Sequence, residues 1–127
     1  MRALTRGHGG RSSVSGVTAS VFGGTGFLGR YVVNALGRIG SQVITPYRGD
    51  ELESRRLRLM GDLGQIVPMP FELRDAPSVG RAVAPSSVVS NLSGKAYPTR
   101  YYTLEQAHVD APRTLARAAA EAGATHF

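Results

Sequence analysis

The 127 residues are 42% hydrophobic and 7% aromatic, which suits one globular core but is short for a complete dinucleotide fold, typically roughly twice this length or more. Without cysteine there can be no disulfide, thiolate metal site or cysteine nucleophile, and three scattered histidines offer no metal cluster. The net charge of +6 comes almost wholly from arginines that are dispersed and form no stripe. With no nucleic-acid module recognisable, this argues against a nucleic-acid partner, and no apolar run reaches the ~18 residues of a membrane span.

Residues 1–16 are basic, acid-free and rich in Gly and Ser. They read either as a residual mitochondrial targeting sequence, which is Arg- and Ser-rich and acid-poor, or as an extended arm lying on a partner; Gly7, Gly9 and Gly10 break any amphipathic helix. An acid-free arm favours acidic protein surfaces or anionic lipid head groups.

The domain proper is expected over 17–127. A short apolar β run, Val17 to Phe22, enters the turn Gly23-Gly-Thr-Gly-Phe-Leu-Gly29, and a periodic segment follows with Phe27, Leu28, Tyr31, Val32, Ala35 and Leu36 on one helical face. Strand, glycine turn and helix in this order form a phosphate-cradling unit. Gly23 takes the tight turn, Gly26 lets the backbone approach a pyrophosphate, and Gly29 permits close helix–strand packing. The helix N-terminus presents unpaired N–H groups to the anion. The Gly-x-x-Gly-x-x-Gly spacing resembles the extended and atypical short-chain dehydrogenases/reductases; the plain alternative is a glycine-rich turn that binds nothing.

Ser41 to Tyr47 reads as a second strand ending at Pro46, parallel to the first in a right-handed βαβ unit. Cofactors without a 2′-phosphate usually meet an acid at this strand end, whereas arginine accommodates the phosphate. The position holds Tyr47-Arg48, so Arg48 favours NADP(H) over NAD(H), with Asp50 close enough to approach the ribose itself. Glu51 to Met60 predicts a charged helix stopped by Gly61, with Arg55, Arg56 and Arg58 on a solvated face. Gln65 to Phe71 predicts an irregular third strand whose Pro68 and Pro70 turn their missing donors away from the pairing side, with Glu72-Leu73 at its end near adenine.

Asp75 is the expected N-cap of a short helix to Val83, with Pro77 in its first turn. Ser86 to Gly94 predicts a fourth strand ending beside the nicotinamide half of the ligand, where Asn91 and Ser93 are positioning groups or simply turn formers. Tyr97, Tyr101 and Tyr102 lie in a loop suited to a lid or interface. Thr103-x-x-Gln106 predicts a capping box opening a helix through Ala122, kinked by Pro112 or restarted after Asp110, and stopped by Gly123. The fold class is a Rossmann-like doubly wound parallel α/β sheet, its N-terminal part only, about four strands with flanking helices; Thr125 to Phe127 stand where a fifth strand would begin. The Tyr-x-x-x-Lys pair of a short-chain reductase is missing: four residues before the single lysine, Lys95, stands Asn91.

Taken together, Gly10 to Gly16, Val21 to Asn34, Leu36 to Ile44, Pro46-Tyr-Arg48 and Met60 to Gln65 resemble the NADPH-binding accessory subunit of mitochondrial respiratory complex I, an atypical short-chain dehydrogenase/reductase. The likeness weakens from Leu73 and returns at Asn91-Leu-x-Gly94 and Glu121-Ala-Gly123. It implies a noncatalytic protein that holds NADPH and supports assembly or stability of the complex on the matrix side of the inner membrane. Its partners would be other complex I subunits, with peripheral contact to the membrane surface. By position, Gly23, Thr25, Gly26, Phe27 and Leu28 would hold the pyrophosphate, Arg48 the 2′-phosphate, Leu73 would flank adenine, and Leu92 and Ser93 would lie along the nicotinamide ribose. Gly24 replaces a small alanine, and the family's C-terminal portion is absent. The competing classes are the cofactor half of an NADP-dependent short-chain reductase or sugar-nucleotide epimerase, and an NADP-sensing regulator.

Overall fold

The computed structural model describes residues 16–48, 51–61, 64–93 and 105–127. Strands β1 (Thr18–Phe22), β2 (Gln42–Tyr47), β3 (Ile66–Pro70) and β4 (Val88–Asn91) form one parallel sheet in the order β3-β2-β1-β4. Helices α1 (Phe27–Arg38), α2 (Glu51–Arg56), α3 (Ala76–Val83) and α4 (Ala111–Glu121) cover its faces. Alternate residues of β1 point to opposite sides, so Val21 joins a core with Val33, Val43, Leu57 and Ile66, while Phe22 joins a second with Val79, Val83, Val89 and Leu115. The chain runs outward from β1 through β2 to β3 and then crosses back to β4, which makes the β1/β4 boundary the topological switch point.

The prolines obey the pairing geometry. Phe71 N–H donates to Tyr47 O, so in β3 the odd residues face β2 and the nitrogens of Pro68 and Pro70 face the free edge, as expected. β2 does not end at Pro46 but continues through Tyr47. Gln42 N–H donates to Val17 O, so Pro46, on the same parity, turns its nitrogen toward β1 beyond the last register pair there, Ser20 with Ile44, and no ladder donor is lost.

Other expectations need correction. The face of α1 turned inward is not Phe27, Leu28 and Tyr31, which are 76%, 55% and 65% exposed; it is Gly29, Val33 and Gly37, flanked by half-buried Val32 and Leu36. The helix sits so close to the turn below it that its inner stripe must begin with a glycine. The Glu51 segment is α-helical only to Arg56, and Leu57–Met60 is a 3₁₀ turn that inserts Leu57 into the core. Arg55, Arg56 and Arg58 are exposed, Arg55 paired at 3.1 Å with Glu51. The restart expected after Asp110 does occur: a π-helical turn, Gln106–Asp110, gives way directly to α4 at Ala111, Ala111 N–H reaches back to Gln106 O, and the missing donor of Pro112 falls within the first turn of α4.

Gly123, at φ +80°, closes α4 with a complete Schellman motif, Gly123 N–H to Ala120 O and Ala124 N–H to Ala119 O. The reversal delivers His126 into a single parallel bridge with Val88 at the outer edge of β4, where a fifth strand was expected to begin. Ser20, fully buried in β1, donates to Ala82 O and therefore accepts from Ser86 Oγ, both at 2.6 Å. Among the described residues no helix is long and apolar enough to cross a membrane. The N-terminal arm up to residue 15, Asp50, Lys95, the three-tyrosine loop and Thr103 lie outside the described residues.

Candidate functional site

Gly23 N-terminates the site at φ +82°, a conformation costly for any residue with a Cβ. A Cβ there would stand 2.6 Å from Leu92 C and 2.7 Å from Ser93 N, so the turn after β1 lies flat against the backbone after β4. Leu92 N–H donates to Phe22 O at 2.8 Å and locks the two strand ends together. Gly26 N–H donates to Gly23 O at 3.1 Å, closing the turn over Gly24 and half-buried Thr25. A Cβ on Gly29 would lie 2.0 Å from that same Gly23 O and 2.7 Å from Gly24 Cα, so α1 packs onto the turn backbone itself.

Gly26 is different. A Cβ here would meet only Gly23 O, at 3.4 Å, and the residue is exposed. It is the N-cap of α1 without a side chain to cap it, and no acid lies in the first turn. The first helical bond is Arg30 N–H to Gly26 O at 3.1 Å, so the N–H groups of Phe27 and Leu28 precede any intrahelical acceptor. The positive end of a 12-residue helix therefore opens onto a backbone surface free of side-chain bulk. Gly24, the departure from the family pattern, has space for the alanine: its Cβ would make ordinary contacts, 3.4 Å to Val33 and Leu57 and 3.6 Å to Thr45.

The remaining predicted residues follow the other strands on the same carboxyl edge. Arg48 is exposed one residue past β2. Leu73 is half-buried in the turn after β3, resting on the Phe22 core beside Phe71, and it lines a cavity of about 440 Å³ with Arg74, Ala76, Gln106, Asp110 and Thr114. Asn91 proves to be a turn former: its Oδ1 accepts from both Ser93 N–H and Ser93 Oγ, which holds Leu92 and exposed Ser93 against Gly23. With neighbouring strands ~4.8 Å apart, the four strand ends extend over roughly 14 Å.

Two contributors were not singled out in the sequence. Ser78, buried in α3, accepts from Glu72 N–H at 3.0 Å and shares its proton between Glu72 O and Asp75 O, so one hydroxyl knits the loop that carries Leu73. Asp75 occupies the N-cap by backbone, but its side chain forms no cap bond, and Ser78 supplies the local hydrogen bonding. The Asp-x-x-Ser spacing was its signal. Arg30 folds back along α1 and donates from Nε to Gly26 O at 3.3 Å; it lines a cavity of about 370 Å³ with Phe27, Tyr31, Asn34 and Met60. Among the described residues no group of three or more His, Cys, Asp or Glu could hold a metal.

A four-stranded parallel sheet with a glycine turn at its switch point is the Rossmann-like fold of the short-chain dehydrogenases/reductases. Solved structures agree: a short-chain dehydrogenase from Bacillus anthracis matches 83% of this chain and 49% of its own at TM-score 0.70 and 11% identity, evidence of fold alone. AtPrR2 with NADP+ and (+)pinoresinol matches 84% of this chain and 33% of its own at TM-score 0.63 and 25% identity. No protein-family model matches. The chain is 55% identical over 124 residues, 98% of its length, to NADH dehydrogenase (ubiquinone) 1 alpha subcomplex subunit 9, mitochondrial, of Rattus norvegicus. It is 52% identical over 118 residues, 93% of its length, to the Arabidopsis thaliana protein of that name. With the NADH-ubiquinone oxidoreductase 40 kDa subunit, mitochondrial, of Neurospora crassa it shares 44% over 126 residues. It is thus a homologue of this mitochondrial complex I subunit, and it spans about a third of the length of these relatives, 33%, 29% and 33% respectively.

Proposed function

We propose that this chain is the cofactor-holding part of a noncatalytic accessory subunit of mitochondrial complex I, which binds NADPH on the matrix side of the inner membrane and supports assembly or stability of the complex. Its partners are other complex I subunits. The observation that carries the reading is an intact anion cradle, Gly26 open and the α1 N-terminus uncapped, in a chain 55% identical to a complex I subunit. The cradle fits a pyrophosphate because the backbone approaches without a Cβ and the helix offers unpaired N–H groups. Gly23, Thr25, Gly26, Phe27 and Leu28 hold it; Arg48 meets the 2′-phosphate, Leu73 flanks adenine, and Leu92 and Ser93 border the nicotinamide ribose.

Bound NADPH would supply a transferable hydride, and these 127 residues hold no Tyr-x-x-x-Lys pair to manage the accompanying proton. The proposal gives the nucleotide a structural role: a ligand that binds only the folded state stabilises it by mass action. The experiment is to isolate the native complex, test for co-migration of this protein, and assay nucleotide released on denaturation. Co-migration with stoichiometric NADPH is expected; a free protein, or one without nucleotide, refutes the reading. A second reading, the cofactor half of a reductase, draws on the 25% identity to the NADP+-bound AtPrR2. Turnover of NADPH by the intact protein would favour it.

A further inference from the structure

We infer that Arg30 is a second determinant of NADPH over NADH, acting with Arg48 on the 2′-phosphate; this rests on the proposed NADPH site. Arg30 stands in the first turns of α1, where the helix end is positive, and a cation there is disfavoured unless an anion joins it. Neither the turn nor the first turn of the helix supplies an acid, and among the described residues Arg30 has no acidic partner, the Glu51 carboxylate being engaged by Arg55. The side chain is nevertheless held at that end: Nε donates to Gly26 O at 3.3 Å, a bond that does not use the terminal Nη groups.

The side of the turn on which Arg30 lies identifies the phosphate. Leu92 and Ser93 close one side of the turn through Gly23. Arg30 lies on the other side, in the cavity of about 370 Å³ that joins Phe27, Tyr31 and Asn34 of α1 to Met60. Met60 ends the 3₁₀ turn that leads from α2 toward β3, so this cavity belongs to the β2–β3 side of the sheet, where Arg48 also emerges. The group of the ligand on that side is the ribose 2′-position. Two guanidiniums converging on a dianionic phosphate give charge-assisted, geometrically specific recognition.

The test is calorimetric titration of the intact protein and its Arg30→Gln and Arg30→Lys variants with NADPH and with NADH, alongside thermal melts without nucleotide. Arg30→Gln should lose about tenfold in NADPH affinity with NADH affinity unchanged and the nucleotide-free melting temperature equal to or slightly above that of the unsubstituted protein, and Arg30→Lys should recover part of the affinity loss. Equal losses for both cofactors would place Arg30 at the pyrophosphate or in the fold and overturn the inference, as would no loss at all. If the unsubstituted protein binds neither nucleotide, the NADPH reading itself fails.

Discussion

Three glycines of one turn, each replaced by alanine, separate stability from binding. At Gly29 the new methyl would stand 2.0 Å from Gly23 O and 2.7 Å from Gly24 Cα, both backbone atoms, so α1 and the turn must part by at least about 1 Å. Overpacking of this kind costs ~1–3 kcal/mol, and with rigid backbone on both sides the upper end applies; alanine's better helix propensity returns about 1 kcal/mol. The net loss of about 2 kcal/mol should lower Tm by roughly 5–15 °C in a domain of this size. At Gly26 the methyl meets nothing nearer than 3.4 Å and the backbone, at φ −75°, accepts alanine, so the melt should move by only a few degrees, the cost of a poorer N-cap. That methyl would nonetheless occupy the surface offered to the pyrophosphate, and NADPH affinity should fall at least about tenfold, or 1.4 kcal/mol. Gly24→Ala, with ordinary contacts on all sides, should keep both properties and gain about 0.4–1 kcal/mol. Differential scanning calorimetry with and without NADPH reads all three. Wild-type NADPH affinity in Gly26→Ala, or a wild-type melt in Gly29→Ala, would refute the reasoning.

Arg48→Ala should weaken NADPH by about 1.5–3 kcal/mol and leave NADH unaffected in parallel titrations; equal losses would remove Arg48 from the 2′-phosphate. Ser78→Ala strips the Glu72 N–H of its buried acceptor and should destabilise by ~1–3 kcal/mol in urea unfolding, while loosening the Leu73 loop enough to lower nucleotide affinity; an unchanged midpoint would show that the hydroxyl is dispensable. Thr45 Oγ1 is buried without a partner among the described residues, so Thr45→Val should be neutral or stabilise by up to about 1 kcal/mol. A loss above 1 kcal/mol in the same unfolding assay would mean that the hydroxyl is satisfied after all.

Local chemistry made much of the molecule legible from the chain alone. Glycine spacing between an apolar run and a periodic segment dictates strand, turn and helix, because few other residues can follow that backbone. The prolines of β3 could be placed on the free edge for the same local reason, since a missing donor tolerates only one orientation. The fourth strand, observed as Val88–Asn91 within the predicted Ser86 to Gly94, and the return of the chain beside it after Gly123 were likewise set by short-range signals. The return of Arg30 onto Gly26 O was not singled out from the chain, because nothing in the sequence says how a helix side chain lies along its own N-terminus. Tertiary packing alone decided the buried face of α1. Periodicity pointed to the largest apolar residues, Phe27, Leu28 and Tyr31, yet the closeness of helix to turn admits only Gly29 on the inside and sends the aromatics outward. The same holds for Ser20: its hydroxyl meets Ala82 O and Ser86 Oγ only once segments more than sixty residues away have been brought within 3 Å, and that is a property of the assembled sheet.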